Sequence, residues 1–281
     1  MTAHAAGESR YLEAADGTRL HYRAWPVDRP RAVMPVLHGL FEHSRRYAEL
    51  ASVMNGAGVA VFGLDLRGHG LSEGRRGHVR RFDRFIDDAA RFVDTVAATV
   101  PDAPRFLLAH SMGGLVAVRY MEERRPALAG AILTSPWLET AAHVPGWQKT
   151  LARVLDRVLP ILPFPADLDP AELSHDPERV ADYREDPRIF STLTPRLWEE
   201  VRRAADAAFR HRDRLDLPLL FLLGGDDRIA RTDRSVQLAR SLPATDVTVE
   251  VLAGYYHEVL QEVERAAVMG EILEWLEARL D

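Results

Sequence analysis

The residues best suited to chemistry lie in Ala109-His110-Ser111-Met112-Gly113-Gly114. An apolar run precedes this string and a helical pattern follows it. A serine placed between a strand and a helix by such a sharp turn is pushed out of the chain as an exposed nucleophile. Small residues two places before and two places after it, Ala109 and Gly113, leave room for the strained backbone. The following helix N-terminus directs N–H groups at developing negative charge. A serine hydroxyl is a poor nucleophile at neutral pH and needs a histidine base, itself oriented by an acid. Of 11 histidines, His257 stands out, because it follows the last apolar run and precedes the last helical pattern. Asp226 and Asp227 follow the run before that. The chain order is then serine, acid, histidine.

These positions require elements to hold them. Tyr11–Ala14 and Thr18–Trp25 flank Asp16-Gly17, a hairpin signal. Short apolar runs at Ala32–Leu37, Val59–Leu64, Phe106–Ala109, Ala129–Thr134, Leu219–Leu223 and Val247–Leu252 read as strands. Helical spacing links Tyr47 to Met54, Phe82 to Val96 and Gly113 to Glu123. A closing helix is expected over Leu260–Leu280, on Val263, Ala267, Leu273, Leu276 and Leu280. Strands alternating with amphipathic helices predict an α/β fold, a doubly wound and mostly parallel eight-stranded sheet. Its site is expected at the carboxyl ends of the strands.

One segment interrupts the alternation. No strand is expected between Pro136 and Leu217, where Trp147, Leu151, Val154, Leu155 and Val158 form one helical stripe. Thr194-Pro195 reads as an N-cap and first helical residue before Leu197, Trp198 and Val201. A single domain over 1–281 with a helical cap inserted at 137–216 is the expectation. Trp147, Leu151, Leu155 and Trp198 are the candidate substrate contacts in it.

Composition sets outer bounds. The 281 residues are 47% hydrophobic and 28% charged, which suits a folded globular chain. The absence of cysteine excludes disulfides, thiol nucleophiles and thiolate-held metals. A net charge of −6 gives no general pull toward nucleic acid. Lys149 is the single lysine among 36 basic residues, a composition bias without functional content. Met1–Arg10 carries no apolar signal core, and no apolar stretch is long enough to span a bilayer, so a cytoplasmic location is expected. His38, His43, His69, His78 and His110 lack metal-ligand spacing and read as loop braces, as do Glu42 and Asp65. Arg75, Arg76, Arg80, Arg81 and Arg84 read as a solvated surface. No metal and no cofactor is expected, and Gly68-His69-Gly70 is no dinucleotide fingerprint.

Three strings carry a resemblance. His38-Gly39-Leu40-Phe41-Glu42-His43-Ser44-Arg45-Arg46-Tyr47, Asp65-Leu66-Arg67-Gly68-His69-Gly70-Leu71-Ser72-Glu73-Gly74 and His110–Gly114 are similar to the monoacylglycerol lipase and lysophospholipase branch of the α/β-hydrolases. So are Asp227-Arg228 and Tyr256-His257, while the cap is dissimilar. The resemblance implies Ser111 as nucleophile, Asp227 as acid and His257 as base, with the Leu40 and Met112 N–H groups as oxyanion donors. It implies a small lipid ester as substrate, with transient contact between the cap and lipid aggregates or a membrane surface. Another apolar ester, a thioester or a lactone would suit the same residues. A ligand-binding module that keeps the fold without turnover is the alternative of a different class.

Overall fold

The computed structural model describes residues 7–142, 144–166 and 168–280; Met1–Ala6, part of the segment read above for a signal, lie outside them. The hairpin at the start is β1 (Glu8–Glu13) and β2 (Arg19–Trp25). There follow β3 (Ala32–Leu37), α1 (Ala48–Gly56), β4 (Val59–Leu64), α2 (Asp83–Thr99), β5 (Phe106–His110), α3 (Ser111–Arg124) and β6 (Gly130–Thr134). Then come α4 (Gly146–Val158), β7 (Phe164–Pro165), α5 (Pro177–Glu185), β8 (Thr192–Leu193) and α6 (Pro195–His211). The chain finishes with β9 (Leu219–Gly224), α7 (Thr232–Arg240), β10 (Val247–Leu252) and α8 (Arg265–Glu277).

Eight strands form one sheet in the order β1-β2-β4-β3-β5-β6-β9-β10. β2 pairs antiparallel with both β1 and β4; from β4 to β10 along the sheet every pairing is parallel. The doubly wound, mostly parallel eight-stranded sheet predicted from the alternation is therefore present. Why both faces are covered is visible in the strands themselves. Side chains alternate between the two faces of a strand. In β3, Ala32, Met34 and Val36 join an apolar cluster with α1 and α8, while Val33 and Leu37 join the opposite cluster with α2 and α3. In β5, Phe106 and Leu108 divide from Leu107 and Ala109 in the same way. Strands apolar on both sides would be insoluble as a one-sided sheet, so helices must cover both.

Three expectations need correction. The segment between β6 and β9 is not purely helical: β7 and β8 form a two-stranded antiparallel sheet, Phe164 opposite Leu193. Two-residue strands leave no periodicity to read. The same segment holds α5, whose single buried residue, Tyr183, gives no stripe. Last, α8 starts at Arg265 rather than Leu260 and buries Val268, Met269, Ile272, Trp275 and Leu276. Of the face read from the sequence, Leu273, Leu276 and Leu280 do pack on the core, while Val263, before the helix, is 57% exposed and Ala267 is exposed as well. The stretch before α8 is pulled out of helix by its polar groups: Glu262 accepts hydrogen bonds from the N–H groups of His175 and Tyr256.

Candidate active site

Ser111 opens α3 directly after β5, with φ of +49°. A left-handed backbone costs a non-glycine residue about 1–2 kcal/mol. It persists because its surroundings permit nothing else. A Cβ on Gly113 would stand 2.4 Å from the carbonyl oxygens of Leu37 and His38, and one on Gly114 would press on Pro136 at 2.8 Å. α3 thus enters tight against the end of β3, and the serine is turned upward into a cavity.

There the structure brings together Ser111, His257 and Asp227. The Ser111 hydroxyl donates to His257 Nε2 at 2.9 Å, and His257 Nδ1–H donates to Asp227 Oδ2 at 2.7 Å. Asp227 Oδ1 accepts the N–H groups of Ile229 and Ala230 at 2.8 and 2.9 Å. Both oxygens are therefore committed. Burial opposes ionisation of Asp227, but His257 and these N–H groups outweigh it, and its pKa lies below the usual carboxylate value. Asp226, its neighbour, is exposed. Burial also pulls on the His257 imidazole, downward, yet the charge of Asp227 and the more distant Glu258 and Glu42 reverse this and hold its pKa above the ordinary value.

The Leu40 N–H has a separate geometry. Leu66 N–H donates to His38 Nε2 at 2.9 Å, which leaves Nδ1–H to donate to the Gly39 carbonyl at 2.7 Å. A trans peptide holds its C=O and N–H in opposite directions. With the Gly39 carbonyl tied back to His38, the Leu40 N–H points away from it, and among the described residues nothing accepts from it. His38 must stay neutral to do this, and burial lowers its pKa to about 4. Met112 is the second residue of α3, in the turn whose N–H groups find no partner within a helix.

A cavity of about 630 Å³ joins these groups to the segment between β6 and β9. Leu40, Ser111, His257 and Glu258 line it together with Trp147, Leu151, Leu155, Trp198, Leu162, Phe164 and Ile229. α6 buries Leu197 and Val201 in the core, whereas α4 leaves Trp147 at 66%, Val154 at 51% and Val158 at 68% exposure. Sequence periodicity identified the α4 stripe but not that water faces most of it.

The other singled-out residues are braces. Asp65 accepts from Ser44 N–H, Leu71 N–H and His21. His43 donates to Asp186, His78 pairs with Thr194 and His110 with Thr134. Arg76 donates to the carbonyls of Gly68 and Gly70, so this member of the arginine cluster holds a loop. A second serine–histidine–aspartate chain exists: Ser9 Oγ lies 2.7 Å from His21 Nε2, and His21 Nδ1 lies 2.8 Å from Asp65. None of the three lines the cavity. Sequence reasoning passed over Glu258, Arg46 and Tyr183, which line or support the cavity beside His257. Adjacency to His257 was the only available signal for Glu258; Tyr183 had none.

Comparison with known proteins places these residues in context. Residues 28–264 match the family described as serine aminopeptidase, S33. The chain is 32% identical over 273 residues to a monoacylglycerol lipase of Mycolicibacterium smegmatis, covering 94% of this chain and 95% of that one. It is 34% identical over 275 residues to the monoglyceride lipase of Mus musculus, covering 96% and 90%. Among solved structures, the monoacylglycerol lipase of Paleococcus ferrophilus superposes with a TM-score of 0.83 at 32% identity, over 92% of this chain and 99% of that one.

Proposed function

The chain belongs to the serine aminopeptidase S33 family, and from that membership we propose that it hydrolyses monoacylglycerol-type esters, with Ser111, His257 and Asp227 as its catalytic residues. It is a serine ester hydrolase. The observation that carries this reading is the hydrogen-bonded chain from Ser111 through His257 to Asp227 beside an apolar cavity.

The mechanism follows from the contacts. As the Ser111 oxygen attacks the acyl carbonyl, its proton passes to His257 Nε2. Asp227 holds the imidazole in the receptive tautomer and stabilises its cation. The Leu40 and Met112 N–H groups receive the oxyanion, fixed in advance so that no reorganisation is needed. The imidazolium then returns the proton to the leaving alkoxide, and the alcohol departs. Water, deprotonated by His257, attacks the acyl-enzyme and frees the acid and Ser111.

Charge ranks the substrates within this class. Beside His257, two carboxylates, Glu42 and Glu258, share one guanidinium, Arg46, so negative charge is in excess there. A neutral glyceryl headgroup can donate its hydroxyls there. A phosphate-bearing headgroup would meet repulsion in a site that screens charge poorly. Neutral monoacylglycerols are therefore favoured over lysophospholipids.

The inserted segment 137–216 acts as a cap in this reading. Trp147, Leu151, Val154, Val158, Leu159, Ile161 and Leu162 are all exposed, and Trp147, Leu151 and Leu162 among them also line the cavity. Such a surface is suited to the boundary of a lipid aggregate. Among the described residues no helix is long and apolar enough to cross a membrane, so the contact is peripheral.

Two experiments test the site. A serine-directed fluorophosphonate should label Ser111 stoichiometrically and spare Ser9, whose histidine does not line the cavity. Labelling located at Ser9, or persisting in Ser111→Ala, would overturn the assignment. Second, His257 must be neutral to accept the proton, so kcat/KM should fall as pH drops through its pKa. Since that pKa is raised, the half-maximal point should lie above about 6.5. A profile flat down to about pH 4.5 would mean that another group is the base.

A further inference from the structure

We propose that Glu42 is a positioning residue for the oxyanion peptide, kept in place by Arg46 and Glu258 as a buried brace joining the oxyanion loop to the loop of the base. The proposal rests on the roles given above to Ser111, His257 and Leu40.

Glu42 Oε1 accepts the Gly39 N–H at 2.5 Å and the Tyr47 hydroxyl at 3.1 Å. The peptide before Gly39 is thereby fixed by Glu42, and the peptide after it by His38. The Leu40 N–H belongs to the second of these, so its direction depends on both ties. There is little slack: a Cβ on Gly39 would stand 3.0 Å from Glu42 Oε1 and 3.1 Å from Ser111 Cβ. Two residues on, Phe41 sits at φ +64°, packed edge-on against Phe190. A loop strained in this way relaxes once a tie is removed.

Arg46 decides where Glu42 points. Its guanidinium donates to both oxygens of Glu258, at 2.5 and 2.7 Å, and only weakly to Glu42 Oε2, at 3.3 Å. The three side chains are nearly sealed from water, with exposures of 4% for Glu42, 11% for Arg46 and 6% for Glu258. A cation this buried cannot stay unpaired. If Glu258 lost its charge, Arg46 would turn to the remaining carboxylate and draw Glu42 off Gly39. Glu258 immediately follows His257, so one contact network spans the base loop and the oxyanion loop.

The test uses Glu42→Ala, Glu42→Gln and Glu258→Gln, with active sites counted by fluorophosphonate labelling taken to completion. Removal of an oxyanion donor costs about 10²–10³ in kcat, and displacing one should cost less. Glu42→Ala should therefore lower kcat per labelled site by about 10–100-fold. Glu42→Gln should recover most of this, because its amide oxygen still accepts the Gly39 N–H. Glu258→Gln should lower kcat per site by roughly the same factor as Glu42→Ala. It should also move the acid limb of kcat/KM to lower pH. The groups facing His257 are Asp227, Glu258, Glu42, Arg46 and His110, and the substitution removes one negative charge from that set.

Wild-type kcat per labelled site in Glu42→Ala would overturn the proposal. So would a loss confined to the fraction of labelled sites, or a Gln variant no better than Ala. If Glu42→Ala fails to fold, Glu258→Gln decides alone, and an unchanged kcat and acid limb refute the brace. Failure of the underlying assignment looks different: turnover would survive Ser111→Ala whatever the Glu42 variants do.

Discussion

Asp227→Asn is expected to reduce kcat by about three to four orders of magnitude while Asp226→Asn leaves it within a few-fold of wild type. The two residues are adjacent, yet the fold treats them oppositely. Asp227 takes three hydrogen bonds, one from His257 Nδ1–H and two from the N–H groups of Ile229 and Ala230. Asp226 is exposed. In Asp227→Asn the side chain keeps its size but can present an amide donor to Nδ1. The imidazole would then favour the tautomer with its proton on Nε2, which cannot accept from Ser111. The imidazolium formed during the reaction would also lose its counter-charge. Because the fold around it barely changes, KM should move much less than kcat. Steady-state kinetics on the three proteins, with labelled active sites counted, provide the check. A larger loss in Asp226→Asn would assign the acid to the other neighbour.

The second large effect concerns acyl length. If the cavity wall of Trp147, Leu151, Leu155 and Trp198 holds the acyl chain, each methylene moved out of water contributes up to about 0.8 kcal/mol. This is at most about fourfold per carbon, so kcat/KM should climb severalfold for each added pair of carbons until the cavity is full. From a two-carbon to an eight-carbon acyl group the cumulative gain should reach about 10²–10³. Replacing residues 145–162 with a short linker removes α4 and most of the exposed apolar surface beside it. The climb should flatten, and binding to neutral lipid vesicles should drop with it. Labelling of Ser111 by a small fluorophosphonate should survive, because Ser111, Asp227 and His257 lie outside the deletion. Chain-length selectivity that persists unchanged would place the acyl site elsewhere and leave the segment as scaffold.

Much of this was legible in the chain. Strand and helix alternation is a local property, and the runs Ala32–Leu37, Val59–Leu64 and Leu219–Leu223 were read to within a residue of the final strands. The turn at Ser111 was legible because backbone crowding is local as well: a strand, Ser111 and paired glycines specify one tight turn. Chain order then narrowed the candidate base and acid to two loops. Where local patterning was weak, it failed. β7 and β8 are too short for a period, and α8 starts at Arg265 rather than Leu260, with Glu262 tied to the N–H groups of His175 and Tyr256 in the segment before it.

The tertiary structure alone decided which groups lose water and meet. Arg46 and Glu258 are separated by 212 positions and Glu49 and Arg179 by 130, so no spacing rule could pair them. The Ser9–His21–Asp65 chain has the same residue types and distances similar to those around Ser111, but none of its three residues lines the cavity that Ser111 and His257 share. Likewise the stripe on α4 and the stripe on α6 look alike as sequence, yet one faces water and the other the core. Residue type and period set what a segment is able to bury. Which surface lies opposite depends on contacts made by distant parts of the chain, and these exist only once the sheet has assembled.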